Sequence, residues 1–316
     1  MTRIAIIGTG VIGSSWAALF AAHGHEVSTT DPRPDATDHL RRAVERCWPS
    51  LERQRLVVDT GSPDLVTVVG STAEAVDGAG FVQENAPERI DLKHDLYREI
   101  DGIVGADVVI ASSSSGLMAT ELQSACKRHP ERVLIGHPFN PPHLVPLVEV
   151  VGGEATSDAA IDAAMRLYTS IGKSPIHIRS ELPGHVTNRL QAALWREAYW
   201  LVEQGVVSVA EVDRAISAGP GLRWALLGPF ATQHLSGGEA GLAYVLEHLG
   251  PPMVEWWETF RTAEWTPELK ATLVAQMDDE LAGIDQSRML DERDRLLEQL
   301  VVAKSGADHL PGGSDR

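Results

Sequence analysis

Arg3-Ile4-Ala5-Ile6-Ile7-Gly8-Thr9-Gly10-Val11-Ile12-Gly13 is the stretch that decides the fold. A short apolar run of strand type leads straight into three glycines, and the apolar segment Ser14–His23 follows with the character of a helix. Each glycine has a physical reason in a strand–turn–helix unit. Gly8 allows the tight turn, Gly10 lets a pyrophosphate approach the backbone, and Gly13 brings the helix close to the strand. Val11 and Ile12 fall in the first helical turn, whose N–H groups and dipole favour phosphate oxygens. Three glycines alone are a weak signal, so the reading depends on what lies beyond them.

The next strand candidate, Glu26–Thr30, is followed by Asp31, 18 residues after Gly13. That is close to the ~20 expected for the acidic residue that accepts hydrogen bonds from the adenosine ribose. A carboxylate there repels a 2′-phosphate, which favours NAD over NADP, while nearby Arg33 keeps some NADP use open. Asp-Pro also opens turns; the spacing from the glycines favours the ribose role. Further strand candidates are Val66–Val69, Gly80–Gln83, Val108–Ala111, Val133–Ile135, Val148–Val150 and Pro175–Ile178. They alternate with helical patterns such as Ala36–Gln54 and Ala159–Ile171. This rhythm predicts a doubly wound, Rossmann-type α/β domain with a parallel sheet over residues 1–182. The β signal stops after Pro183-Gly184. Helical patterns at Val186–Glu203, Ala210–Ala218, around Glu239–His248, Pro267–Leu281 and Arg288–Ala303 predict an all-α C-terminal domain over residues 183–304. The Gly-, Pro-, Ser- and Asp-containing stretch 305–316 predicts a disordered tail.

Composition narrows the function. The 316 residues suffice for two domains with their own cores, and 43% hydrophobic residues with scattered charge describe a soluble globular chain. No run reaches the ~18 apolar residues of a membrane helix. The N-terminus enters a strand without a leader pattern, and two cysteines in unlike contexts suggest neither disulfides nor a metal site. A reducing cytoplasm is the expected compartment. With 27 Lys and Arg against 44 Asp and Glu, the formal net charge is −17, which argues against nucleic acid as a partner. An anionic ligand then needs specific Arg, Lys or backbone N–H groups to hold it.

Two predicted strand ends carry polar clusters, Ser112-Ser113-Ser114-Ser115-Gly116 and Gly136-His137-Pro138-Phe139-Asn140-Pro141. Oxidising an alcohol needs a base for the hydroxyl proton while hydride leaves the same carbon. Histidine suits because its ordinary pKa of ~6.5 lies near working pH. A carboxylate on the other ring nitrogen fixes the tautomer, and Glu149, inside the apolar run Leu147–Val151, needs a partner if it is buried. Taken singly, His137 equally fits a packed loop histidine and Glu149 a strand-edge charge.

Gly8–Gly13, Glu84-Asn85-Ala86-Pro87-Glu88, Ser112–Leu117, His137-Pro138-Phe139-Asn140-Pro141, Pro146-Leu147-Val148-Glu149 and Pro183-Gly184-His185-Val186-Thr187-Asn188-Arg189 occur in one order. From residue 3 to about 300 the chain resembles the 3-hydroxyacyl-CoA dehydrogenase superfamily. The resemblance implies a two-domain, NAD-dependent enzyme acting in the interdomain cleft, commonly a homodimer through its helical domain. It implies His137 as general base and Glu149 as its dyad partner, with Ser115 and Asn188 hydrogen-bonding the reacting oxygen. It further implies Glu88, Lys93, Ser115 and Asn140 as NAD contacts.

Details point to a branch that acts on free acids. The segment Gly219–Phe230 is longer than in acyl-CoA enzymes, and its Leu222-Arg223-Trp224 is similar to the L-gulonate 3-dehydrogenase (lambda-crystallin) and L-carnitine dehydrogenase groups, as is Gln83–Arg89. Where acyl-CoA members hold the coenzyme, this chain carries Cys47-Trp48-Pro49. Arg223 is then the expected grip on a substrate carboxylate; its bland alternative is an exposed helix-end charge or an interdomain salt bridge. Trp195-Arg196-Glu197 and Trp48-Pro49 resemble the carnitine group; Asn188, Gly228-Pro229 and Gln233-His234-Leu235 resemble the gulonate group. Eight tryptophans suit either a cage for a quaternary ammonium or an ordinary core. The competing readings are a short-chain 3-hydroxyacyl-CoA dehydrogenase and a non-catalytic NAD-binding protein.

Overall fold

Strand β1 (Ile4–Ile7) is apolar at every position because both of its faces are covered. Ile4 and Ile6 join a core with Trp16, Phe20, Phe81 and Tyr168, while Ala5 and Ile7 join a second core with Val82, Tyr97, Ile100 and Ile135. Side chains alternate across a strand, so a run buried on both sides shows no polar alternation. The computed structural model describes residues 2–310. The other strands are β2 (Val27–Thr30), β3 (Val66–Val68), β4 (Phe81–Glu84), β5 (Val109–Ser112), β6 (Val133–Pro138), β7 (Leu147–Gly152) and β8 (Ser174–Ile178). They form one sheet in the order β3-β2-β1-β4-β5-β6-β7-β8, with every predicted strand present. The order reverses between β1 and β4, which places a crevice beyond the C-terminal strand ends.

Around the sheet lie α1 (Val11–Ala22), α2 (Ala36–Arg53), α3 (Thr72–Val76), α4 (Ile90–Ile103), α5 (Ala119–Gln123) and α6 (Asp158–Ser170). The expectation of a parallel sheet fails at one place: β6 and β7 are antiparallel. The connection 139–146 is too short for the crossover of a dozen or more residues that parallel strands require.

Helices α7 (Thr187–Glu203), α8 (Val209–Ser217), α9 (Pro220–Ser236), α10 (Gly241–His248), α11 (Gly250–Thr259), α12 (Pro267–Glu280) and α13 (Gln286–Ser305) complete the chain. The sequence reading assigned no helix to α9 or α11. Glycines obscure α9, which starts on Pro220 at the position where proline is favoured and breaks at Gly228, φ 74°. The chain divides into two compact units, one running through Thr187 and including Asp294–Val302, the other Asn188–Arg293. The first unit extends beyond residue 182 because the Val186 and Thr187 N–H groups bind the buried Glu149 carboxylate. Asp294–Val302 joins it because Glu298 accepts hydrogen bonds from Arg53 and Ser50. Of the predicted tail, Ser305 still belongs to α13, and residues 311–316 lie outside the described residues. No helix among the described residues is long and apolar enough to cross a membrane.

Beneath the strand ends sits a buried ion pair that sequence reasoning missed. Glu84 closes β4, fully buried, and accepts from Lys93 Nζ at 2.7 and 2.8 Å, the Ala86 N–H at 2.6 Å, Ser112 Oγ at 2.6 Å and Tyr97 Oη at 3.2 Å. A buried carboxylate left without its cation is costly. Lys93→Met is therefore expected to lower the unfolding free energy by about 3–5 kcal/mol, and adding Glu84→Gln to recover part of it. Urea denaturation checks this; a loss below about 1 kcal/mol contradicts it.

Candidate active site

The three glycines behave as their spacing predicts. Gly8 has φ +87°, where a side chain is strained, and a Cβ on Gly13 would lie 1.9 Å from the Gly8 carbonyl oxygen. Around Gly10 a Cβ would meet nothing within 4 Å, so backbone there is open to a ligand. Helix α1 has no side-chain cap and no acidic residue in its first turn. Its leading N–H groups are thus free to receive an anion. Gly8, Gly10, Asp31, Arg33, Asn85 and Pro87 help line a cleft of about 1000 Å³. Asp31 accepts from the Thr9 N–H at 2.8 Å and from the Arg33 N–H and Nε at 3.0 Å each. Burial raises the Asp31 pKa, but these donors outweigh it and hold the carboxyl below its usual range. An ionised carboxylate, an open helix N-terminus and bare backbone between them fit the ribose and pyrophosphate of NAD.

At the other strand ends the antiparallel pairing sets His137 opposite Glu149 in register. His137 Nδ1 donates to Glu149 Oε2 at 2.8 Å, and both residues are buried. The second oxygen, Oε1, accepts from the Val186 N–H at 3.0 Å, the Thr187 N–H at 2.9 Å and Thr187 Oγ1 at 2.9 Å. Burial raises the Glu149 pKa, yet the His137 ring and Thr187 donors override it, lowering it from 4.5 to about 2. With Nδ1–H committed to Glu149, the His137 lone pair lies on Nε2.

The serine loop after β5 is built around Glu88. Its Oε1 accepts from Ser114 Oγ at 2.6 Å and from the N–H groups of Ser115 at 3.1 Å and Gly116 at 2.8 Å. Ser115 is exposed on this loop, as is Asn140 after β6. Lys93, which the resemblance assigns to the cofactor, is instead turned inward: its ammonium is buried on Glu84, 4.0 Å from Glu88. Asn188 is the second residue of α7 and opens the other compact unit. Arg223 is exposed on the second turn of α9, which is regular helix at this point.

Sequence reasoning also missed His185. It is buried, has φ +50°, and its ring centroid lies 5.3 Å from that of His137. The available signal was a histidine directly after Pro183-Gly184 within a quoted motif.

Two outcomes follow from this geometry. Asp31→Ala is expected to weaken NAD binding and narrow the preference over NADP, read from kcat/KM with each cofactor; equal efficiency of the native protein with NADP contradicts the assignment. Glu149 has a lower pKa folded than unfolded, so its stabilisation is whole above pH 4.5 and is lost as pH falls through that value toward about 2. Glu149→Gln is expected to flatten the stability–pH curve over this window, and an unchanged curve contradicts the pairing.

Residues 3–181 match the family model of the 3-hydroxyacyl-CoA dehydrogenase NAD binding domain, and residues 184–271 that of the C-terminal domain. An L-carnitine dehydrogenase of Streptomyces griseus subsp. griseus is 47% identical over 293 residues, covering 93% of this chain and 87% of that protein. One from Pseudomonas putida is 43% identical over 317 residues, 98% of this chain and 97% of that protein. Among solved structures, 5-formyl-3-hydroxy-2-methylpyridine 4-carboxylic acid 5-dehydrogenase, an NAD+-dependent dismutase, has a TM-score of 0.77 at 29% identity, covering 95% of this chain and 97% of that one. The (S)-3-hydroxybutyryl-CoA dehydrogenase of Ralstonia eutropha has a TM-score of 0.66 at 27% identity, covering 87% and 94%. With both family domains matched in order, the chain belongs to the 3-hydroxyacyl-CoA dehydrogenase family and is an NAD-dependent oxidoreductase acting on a CH–OH group.

Proposed function

We propose that this chain oxidises the 3-hydroxy group of a small free 3-hydroxy acid, L-carnitine, to the 3-oxo acid. The observation that carries the substrate is the likeness to L-carnitine dehydrogenases at 47% identity over 93% of the chain. Of the two free acids that the sequence motifs leave open, these relatives favour L-carnitine over gulonate.

NAD+, when bound, accepts the hydride from the substrate carbon. His137 takes the hydroxyl proton on Nε2, the nitrogen opposite its 2.8 Å bond to Glu149. Glu149 keeps the ring in the productive tautomer and stabilises the imidazolium by charge. Ser115 and Asn188 hold the reacting oxygen, and Glu88, through the loop N–H groups, fixes where Ser115 stands. Asn140 contributes to the cofactor site; Lys93 acts on it through Glu84. Arg223, on an exposed helix face, supplies the positive charge for the carboxylate in a chain of net charge −17. The active unit is a homodimer formed by the helical unit. Among residues 188–293 the buried apolar side chains are Val202, Val245 and Leu269, while Leu190, Phe230, Leu235 and Trp256 are each more than 60% or about 60% exposed. Apolar surface on this scale calls for a second copy to cover it.

NADH formation at 340 nm, a property of the cofactor itself, tests the substrate across L-carnitine, D-carnitine, L-gulonate, 3-hydroxybutyrate and 3-hydroxybutyryl-CoA. The highest kcat/KM is expected with L-carnitine, and a preference for the CoA ester overturns the free-acid reading. His137→Gln is expected to lower turnover by about 10²–10⁴ with NADH affinity nearly intact. Arg223→Met is expected to raise KM for the acid about tenfold without changing NAD affinity. Normal KM in that variant removes Arg223 from the site and leaves the dyad standing.

A further inference from the structure

Arg33 is the residue that keeps NADP use open in the sequence, and its contacts in the fold restrain it. Its Nε–H donates to Asp31 Oδ1 at 3.0 Å, and its backbone N–H donates to the same oxygen at 3.0 Å. The Thr9 N–H donates to Oδ2 at 2.8 Å. An ionised carboxylate has about four acceptor positions. Three are therefore filled from within the fold, two of them by Arg33. The Arg33 and Asp31 side chains are 35% and 9% exposed, so salt screens this pair less than it screens a pair on the open surface. Pro32 and Pro34 stiffen the turn, since each fixes its own φ and Pro34 biases Arg33 away from helical backbone. The Ala36 N–H closes the turn on the Arg33 carbonyl at 3.3 Å. The surroundings are acidic. Among the described residues that line the cofactor cleft, Arg33 is the one Lys or Arg, against Asp31, Asp35, Asp95 and Glu99. The single guanidinium in the cleft is thus already engaged by one of its four carboxylates.

We propose that Arg33 is a specificity-determining residue for the cofactor and that Asp31 restrains it: paired, the guanidinium fixes the carboxylate that receives the ribose of NAD; released, it becomes a ligand for the 2′-phosphate of NADP. This rests on the reading of Asp31 as the ribose acceptor. A preference for NAD then has two parts that a single change at Asp31 removes together. The carboxylate repels the added phosphate, and it also occupies the one cation that could bind it. Arginine suits both states, because its planar fork pairs with a carboxylate and with a phosphate. Arg33 in turn supports the charge that excludes the phosphate. Burial raises the Asp31 pKa, and the Thr9 and Arg33 N–H groups with the Arg33 guanidinium outweigh it, so the carboxyl stays ionised. Removing Arg33 alone therefore leaves a repelling carboxylate, while removing Asp31 alone leaves an unopposed guanidinium.

A double-mutant cycle separates the two parts. Calorimetry on the native chain, D31A, R33A and D31A/R33A measures affinity for ADP-ribose and for its 2′-phosphate derivative, neither of which needs turnover. Values of kcat/KM with NAD and NADP are measured alongside. D31A is expected to bind ADP-ribose about tenfold more weakly than the native chain, and to bind the phosphorylated ligand about tenfold more tightly than D31A/R33A does. R33A alone is expected to change affinity for the phosphorylated ligand by less than about threefold, because in the native chain the guanidinium is held on Asp31. Equal affinity of D31A and D31A/R33A for the phosphorylated ligand overturns the proposal, since the carboxylate alone then sets the preference. A tenfold loss (about 1.4 kcal/mol) in R33A alone also overturns it, since Arg33 is then free to bind phosphate in the native chain. In either case a weakened ADP-ribose affinity in D31A leaves the ribose reading standing. If D31A binds ADP-ribose as tightly as the native chain, that reading fails and this inference with it. Should D31A not fold, D31S, which keeps a polar side chain in the turn, takes its place in the cycle.

Discussion

The Glu149 carboxylate is the joint on which the rest depends. One oxygen receives the His137 ring and the other receives the Val186 and Thr187 backbone together with the Thr187 hydroxyl. A single buried charge therefore orients the imidazole and pins the chain at the start of α7. Without donors on both oxygens, an ionised carboxylate at this depth would be too costly to keep, and it would protonate instead. The antiparallel turn from β6 to β7 makes this possible. A parallel strand at that position would need a crossover, and the two side chains would not be brought opposite one another by a short connection.

The sheet and its cofactor end were legible because their signals are local. Four apolar residues followed by three spaced glycines and a later Asp31 state a turn, an open backbone and a ribose acceptor within 31 positions. The His137–Glu149 pair was legible in its residues but not in its geometry, since nothing in the local pattern distinguishes a short antiparallel return from a crossover until the connection is measured. His185 and the Glu84–Lys93 pair were hidden for a different reason. His185 meets Ser114 across 71 positions, and Glu84 gathers Lys93, Tyr97 and Ser112, from 9 to 28 positions on, around a strand end. Side-chain type alone does not announce such a meeting. Helix α9 was missed because Gly219, Gly221 and Gly228 read as punctuation, while in the structure Gly219 caps the helix and Gly228 breaks it.

The carboxylates near the strand ends explain how so acidic a chain accommodates an anionic cofactor. Asp31 is held by Thr9 and Arg33, Glu84 by Lys93, Glu88 by the serine-loop N–H groups, and Glu149 by His137 and Thr187. Each negative charge is matched locally by donors, which lowers the cost of keeping it ionised. At the glycine turn the N-terminus of α1 has no acidic side chain to compete for its N–H groups. Local arrangement thus decides where an anion is welcome, although the mean field of the whole protein opposes it.

The same carboxylates act as braces. Glu88, itself exposed, gathers four consecutive loop residues around one oxygen, and the buried Glu149 gathers two N–H groups of the next segment, so each loop is fixed by a carboxylate. Loops are ordinarily the least certain part of a fold, because their backbone groups can turn to water. Here the backbone donors are committed to carboxylates, which bind them more strongly than neutral acceptors would. The reaction proposed above, which moves a proton and a hydride, needs its groups held within fractions of an ångström. Fixing loops through ionised acceptors supplies rigidity of that kind without an added helix or strand.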